Sequence, residues 1–315
     1  MSSKYSYRFS VFTATYNRAQ MLLRLYNELK AQTFKDFEWV IVNDGSADDT
    51  DEIVSNIIND NILNIQYVSK RNGGKHTAWA AALKKFKGRY VVTADDDDPI
   101  TPDMLAIFDR EWTKLEKSAE YDKFWEIKSR CKDINGKLVG DILPTPYFDS
   151  DYNTVSYKLK VFCEMVGCRK VEVLRNEASV PSEFMFMDNA TNFDESIRWS
   201  RAARKYKTRF IPDVTRIYMS TPNSLCSNTL NRCLDGEKRI LANKMVEFYY
   251  TLKEKSDLLL KWDKKRYIRT ILGFSLLVTK CNIPLEDIPL NKRTKAMVSC
   301  LKPISHLYLY YKKRG

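Results

Sequence analysis

The stretch "VVTADDDDPITPDML", residues 91–105, ends an apolar run on four consecutive carboxylates, Asp95 to Asp98. Ionised neighbours of like charge repel and raise one another's pKa unless positive charge stands among them. Asp95 and Asp97, at i and i+2 of an extended turn, can reach one hard cation. Mg²⁺ or Mn²⁺ takes one or two protein carboxylates and leaves its other positions to water and substrate phosphate. A solvated acidic loop ahead of a helix start at Pro102 and Asp103 is the plainer alternative.

Two other polar clusters have chemical character. In "NDGSADDT", Asp44, Gly45 and Ser46 make a turn, and Asp48, Asp49 and Asp51 suit the first turn of a helix. A carboxylate such as Asp44 at a strand end can also accept a hydrogen bond from a base N–H or a ribose hydroxyl. "RNGGKHTAWAAAL" sets Gly73, Gly74, Lys75 and His76 at a helix start, where free amides and the helix dipole favour an anion. It lacks the GxxxxGK[ST] spacing of a P-loop, so that reading rests on the helix terminus alone.

These clusters need elements to position them. "YRFSVFTAT" reads as a strand and "AQMLLRLYNELKAQTF" as a helix, with Met21, Leu22, Leu25 and Leu29 at helical spacing. "FEWVIVNDGSADDTDEIVSNIIND" repeats the order. A third strand, an alanine-rich helix over about 75–87 and a strand at 89–94 complete three strand-helix-strand units. Such a succession predicts a mostly parallel sheet with helices on both faces. Further on, "KFWEIKSRCKDINGKLVGDIL" predicts a hairpin about Asn135-Gly136, "CRKVEVLRNE" a strand, "ESIRWSRAARKYK" a helix, and "TRFI" and "TRIYMS" two short strands. From about 224 the pattern is helical. In an open parallel sheet ligands collect at the carboxyl ends of the strands, and "TATYNR", "NDGSADDT", "NGGKH" and "ADDDD" all fall there.

In that order and spacing, "FTATYNR", "VIVNDGSADDT", "NGGKHTAWAAAL" and "YVVTADDDDPITPDML" resemble family 2 of the inverting glycosyltransferases, closely over residues 6–115 and loosely to about 222. The resemblance implies an α/β GT-A fold with a helical C-terminal extension: a catalytic domain at 1–222 that binds the nucleotide sugar, and a basic helical region at 223–315. It implies donor-binding roles for Thr13, Tyr16, Arg18, Asp44, Asn72, Gly74, Lys75, His76, Asp95 and Asp96. Asp44 is expected at a base N–H, uracil in most members. Asp97 and Asp95 match the DxD motif that holds Mn²⁺ or Mg²⁺, with Asp98 just behind. The general base of such enzymes is a carboxylate at a helix start in the second half of the domain. Here "TNFDESIRW" offers Glu195 first and Asp194 next, with Asp188 behind them. The family's Glu-Asp order is reversed at 194–195. A downstream histidine that ligates metal in some relatives has no counterpart, since His306 lies too far along, so metal affinity without nucleotide is expected to be low. Implied partners are a UDP-sugar and a glycan or lipid-linked acceptor, in bacterial surface polysaccharide or glycolipid synthesis.

Composition sets the remaining bounds. With 315 residues, 44% hydrophobic and 29% charged, and 10 Gly and 10 Pro, disordered and fibrous classes are excluded. Seven cysteines form no CxxC pair and predict free thiols. No signal-peptide apolar core opens the chain, and "ILGFSLLV" is too short to span a bilayer, so a cytoplasmic protein is expected, peripheral on the inner face of the membrane. Residues 231–315 hold 19 Lys+Arg against 8 Asp+Glu of a chain total of 52 against 40, so the net +12 sits almost wholly there. With aromatic and aliphatic residues interspersed, residues 260–315 suit an anionic membrane surface, and nucleic acid is not expected. A nucleotidyltransferase and a non-catalytic module gripping an anionic partner are the alternatives.

Overall fold

The computed structural model describes residues 4–176, 195–219 and 236–312, which fall into two compact units: Met1–Val180 with Arg201–Thr221, and Pro181–Ser200 with Pro222–Gly315.

The first unit alternates strand and helix: β1 (Tyr7–Thr15), α1 (Ala19–Lys30), β2 (Phe37–Asn43), α2 (Thr50–Asn59), β3 (Asn64–Ser69), α3 (Lys75–Leu83), β4 (Gly88–Thr93) and α4 (Met104–Glu116). Then come β5 (Phe124–Lys132), β6 (Phe148–Ser150), β7 (Met165–Lys170), α5 (Val171–Asn176), α6 (Ser196–Ala202), which crosses between the units, and β8 (Lys207–Ile217). The described strands form one sheet in the order β3-β2-β1-β4-β7-β5-β8-β6. β3, β2, β1 and β4 run parallel, β7 is antiparallel to both β4 and β5, and β5 therefore points the same way as β4 and is parallel to β8.

The apolar alternation of the strands decides which side each helix covers. Phe9, Val11, Trp39, Ile41, Tyr90 and Val92 pack with Leu22, Leu25 and Leu29 of α1, Val54 and Ile57 of α2, and Phe108 and Trp112 of α4. On the opposite face Phe12 meets Trp79 of α3 with ring centroids 4.4 Å apart. Aromatic side chains of this kind contribute the largest apolar burial per residue. The sheet tolerates no side chain at Gly88, where a Cβ would lie 2.3 Å from the Ser10 amide nitrogen.

Several expected elements differ. "CRKVEVLRNE" is β7 followed at once by α5, because Val171, Val173 and Leu174 are buried as a helical face. "TRFI" and Thr215–Ile217 of "TRIYMS" belong to one strand, β8, whose pairing with β5 shifts register between Lys128 and Arg130. Pro212 lies in that irregular stretch, where the missing N–H breaks no ladder. Asn135-Gly136 does turn the chain, but only the single bridge Lys132↔Leu138 follows, since Asp133 takes the amides of Asn135 and Lys137. Helix α3 stops at Leu83, short of residue 87.

The second unit contains α7 (Gly236–Glu254), α8 (Ser256–Trp262), α9 (Lys264–Lys280) and α10 (Lys292–Lys312). Asp263 caps α9 by accepting from the Arg266 amide. Tyr267, Ile271, Phe274 and Val278 turn inward from α9, while Gly273 lets Phe248 of α7 approach so closely that a Cβ would meet its ring at 2.6 Å. Lys255 is 1% exposed and donates to Ser196 Oγ. No described helix is long and apolar enough to cross a membrane.

Candidate active site

The carboxyl ends of β1, β2, β3 and β4 share one edge of the sheet, and the loops leaving them are tied together by polar contacts. Asn17, with a left-handed φ of 53°, donates its amide to Ser46 Oγ and accepts the Ala47 amide at Oδ1, joining the β1 and β2 loops. Asp48 accepts the Ala19 amide at the start of α1, and its carboxyl is held low because hydrogen bonds from Thr50 and Ala19 outweigh the effect of burial.

Asp44, 5% exposed, organises the glycine loop: its two oxygens accept the amides of Gly73 at 3.0 Å and Gly74 at 2.7 Å, and Lys70 Nζ pairs with Oδ1. Gly45 must be glycine, for its φ of +81° is left-handed and a Cβ would sit 2.7 Å from the Asn72 nitrogen. Gly74 caps α3 with φ 85°, and Lys75 reaches from there to Asp95 Oδ1 at 2.8 Å.

The aspartate run alternates. Asp96 and Asp98 are buried, and Asp95 and Asp97 keep about a quarter of their side-chain surface exposed. Three cationic side chains of the chain itself balance the crowded carboxylates. Arg18 Nη1 lies 2.9 Å from Asp96 Oδ1 and 2.8 Å from Asp97 Oδ2, Lys75 pairs with Asp95, and buried Arg216 lies 3.3 Å from Asp98 and 3.7 Å from Asp95. Arg216 also pairs with Glu164. The electrostatics follow. Burial alone would raise the Asp95 carboxyl, yet the charges of Lys75 and Arg216 bring it below its ordinary value. Burial wins at Asp96 and Asp98, whose carboxyls are raised despite Arg18 and Arg216 respectively. Asp98 also accepts the Met219 amide, fastening the loop to the end of β8.

The donor set fits a hard divalent ion. Asp95 and Asp97 are partly exposed carboxylates whose oxygens have lone pairs beyond those used by their cation contacts. Among the described residues no cluster of three or more His, Cys, Asp or Glu could hold a metal ion by itself.

Among the residues read from sequence, Arg18, Lys75, Asp95, Asp96 and Asp97 are brought into direct contact, and Asp44 and Gly74 are linked to them through the glycine loop. Arg18 spans Asp96 and Asp97. Thr13 is fully buried; its hydroxyl donates to Ala94 O at 2.7 Å and accepts from Trp39 Nε1 at 3.0 Å, so it ties β1, β2 and β4 together beneath the site. Tyr16, 46% exposed, and exposed Asn72 stand at the mouth, while His76 is buried on α3. Glu195 precedes α6 in the second unit, its carbonyl accepting from Arg198; Asp194 and Asp188 lie outside the described residues. Sequence reasoning missed Arg216 and Lys70. Both are ordinary basic residues near strand ends, and only the pairing of distant strands identifies them. A cavity of about 660 Å³ at the opposite edge, lined by Tyr7, Arg89, Tyr121 and Lys170 among others, holds cations already engaged by Glu116 and Tyr121 and is separate from this cluster.

Comparison with known proteins fits this geometry. A sequence model described as Glycosyl transferase family 2 matches residues 10–174. Chondroitin synthase of Pasteurella multocida (strain Pm70) is 34% identical over 105 residues, 33% of this chain and 11% of that protein. Poly(ribitol-phosphate) beta-N-acetylglucosaminyltransferase TarS of Staphylococcus aureus (strain Mu50 / ATCC 700699) is 35% identical over 100 residues, 31% of this chain and 18% of TarS. The chain thus matches only a small part of these relatives' length. The solved structure of S. aureus TarS 1–349 in complex with UDP-GlcNAc superposes with a TM-score of 0.61 at 18% identity, covering 95% of this chain and 86% of that one. Mannosyltransferase PcManGT from Pyrobaculum calidifontis, in complex with GDP-Man and Mn²⁺, gives 0.52 at 17% identity over 98% and 80%. The fold is that of the GT-A enzymes.

Proposed function

From the premise that this chain belongs to glycosyl transferase family 2, whose model spans residues 10–174 of 315, we propose a metal-assisted, inverting glycosyltransferase. It moves a sugar from a nucleotide diphosphate donor, UDP-linked on this reading, to a hydroxyl of a glycan or lipid-linked acceptor in bacterial surface polysaccharide or glycolipid synthesis. The observation that carries the reading is the convergence of Arg18, Lys75 and Arg216 on Asp95–Asp98 beside the Asp44 loop.

The chain's residues divide the work. Tyr16 offers an exposed ring to the base, and Asp44, whose Oδ2 has a second lone pair, can accept a base N–H there while still holding Gly73 and Gly74. Arg18 and Lys75 rest on Asp97 and Asp95 and can turn to the donor's phosphate oxygens, for which the guanidinium fork and the ammonium are both suited. Asp97 and Asp95 would then hold Mn²⁺ or Mg²⁺, which when bound stabilises charge on the leaving nucleoside diphosphate. A carboxylate, Glu195 or Asp194, takes the proton of the acceptor hydroxyl as it attacks the anomeric carbon. The catalytic domain on this reading is 1–222. In the region 223–315, exposed Ile268 and Leu272 beside Lys265 and Arg269 support attachment to an anionic membrane surface.

A panel of UDP- and GDP-sugars with Mn²⁺ tests the reading, with Asp97→Ala as control. Expected is donor turnover by the wild type and its loss in the variant. No binding or turnover of any donor contradicts it, and pyrophosphate release from a nucleoside triphosphate would favour a nucleotidyltransferase.

A further inference from the structure

Beyond the aspartates, the same edge of the sheet continues to β7 and β5. Val92 of β4 and Ile127 of β5 both align with Cys168 of β7, so Asp95 and Arg130, three residues farther along each, stand at the same level. Two strand spacings separate them, about 10 Å. Parity places Glu126, Lys128 and Arg130 of β5 and Arg169 of β7 on one face of the sheet, where Arg169 also reaches Thr93 of β4. This strip is ionic and buried, with Glu126 at 0%, Arg130 at 4%, Arg169 at 5% and Lys128 at 8% exposure.

Within the strip Glu126 is engaged by Arg169 Nε at 2.7 Å, with Lys128 Nζ at 3.9 Å. Within it, the Nε and Nη2 atoms of Arg130 are buried without a hydrogen-bond partner. Leaving a charged donor buried and unpaired is costly, and such a group in a native protein calls for a ligand. A guanidinium presents its N–H groups as a planar fork that matches a phosphate oxygen pair. Position favours a substrate other than the nucleotide. If the base lies at Asp44 just after β2 and the diphosphate at the end of β4, the next ground along the edge belongs to the acceptor.

We propose that Arg130 is an acceptor subsite for a phosphate group, so that the acceptor is a phosphate- or phosphodiester-bearing alcohol. The inference rests on the donor reading above for the word acceptor, but the anion site itself does not.

The test is calorimetric titration of the full chain with glycerol 3-phosphate and with glycerol, in the presence and absence of UDP. The expected result is saturable binding of glycerol 3-phosphate and none of glycerol. Arg130→Gln should weaken the phosphate at least tenfold, Arg130→Lys less, and neither should change the UDP affinity. Retention on phosphatidylglycerol vesicles that Arg130→Gln abolishes assigns the phosphate to a lipid headgroup; binding of the soluble ester alone assigns it to a polyol phosphate. No saturable binding of either probe by the wild type, or equal binding by wild type and Arg130→Gln, overturns the proposal. Should Arg130→Gln not fold, Arg130→Lys and the wild-type contrast between the two alcohols still decide. Failure of UDP to bind refutes the donor reading, while the titration without UDP continues to report on Arg130.

Discussion

Replacing Asp44 with asparagine changes few atoms and tests how the glycine loop is held. The carboxylate accepts the Gly73 amide at one oxygen and the Gly74 amide at the other, while Lys70 pairs with Oδ1. An asparagine has one acceptor oxygen and one amino group, so however it turns, one glycine N–H faces another donor. A buried donor left without a partner costs about 1–3 kcal/mol. Lost pairing with Lys70 adds about 1 kcal/mol at most, since Lys70 is 23% exposed. The loop is therefore loosened by about 1–4 kcal/mol, and at about 1.4 kcal/mol per decade the UDP affinity should fall by about fivefold or more. Hydrogen exchange of residues 70–77 and calorimetric titration with UDP measure the two effects together. Lys70→Met, which spares both amide contacts, should change UDP affinity less than about fivefold, an upper limit set by about 1 kcal/mol. If Asp44→Asn leaves exchange in the loop and UDP affinity at wild-type levels, Asp44 does not organise this loop and the argument is wrong.

Two further outcomes follow from buried charge. Arg216→Met strands Asp98 and Asp95 beside the end of β8 and should destabilise the chain by about 3–5 kcal/mol in urea unfolding, with Arg216→Lys intermediate; a loss under 1 kcal/mol would show the pairs to be inconsequential. Glu116 is pulled below its ordinary pKa because, although burial opposes it, hydrogen bonds from Arg8 and Tyr90 favour the carboxylate. Its contribution is complete above the unfolded value of about 4.3 and is lost as pH falls through the lower folded value. The stability gap between wild type and Glu116→Gln should accordingly be constant from pH 7 to 5 and shrink below pH 4, and a gap that widens on acidification would reverse the sign of the reasoning.

How much of this was legible in sequence depended on whether the determining contacts are local. The alternation of β1 through β4 with α1 through α4 follows from periodicity, because each element buries one face within a few residues of its own turn signals. β8 was divided at Pro212, since the compensating register shift belongs to its partner β5 and has no local sign. The valines of α5 fit a strand or a helix equally, and the sheet decided. The aspartate run advertised a need for positive charge, and Lys75 lay in a motif already noted. Arg216, however, is 121 residues from Asp95 by numbering and becomes its neighbour only through the strand order β4-β7-β5-β8. Thr13 shows the converse: its motif does not reveal that its side chain is buried and hydrogen-bonded among β1, β2 and β4.

The most direct measurement is paramagnetic. Mn²⁺ added to the isotopically labelled chain with UDP should broaden the amide resonances of Arg18, Gly45, Gly73–Lys75 and Asp95–Asp98 together, and Asp97→Asn should abolish the effect at the same concentration. Broadening confined to other acidic surface residues, or present equally in Asp97→Asn, would contradict a cation and a nucleotide diphosphate sharing one site at these strand ends.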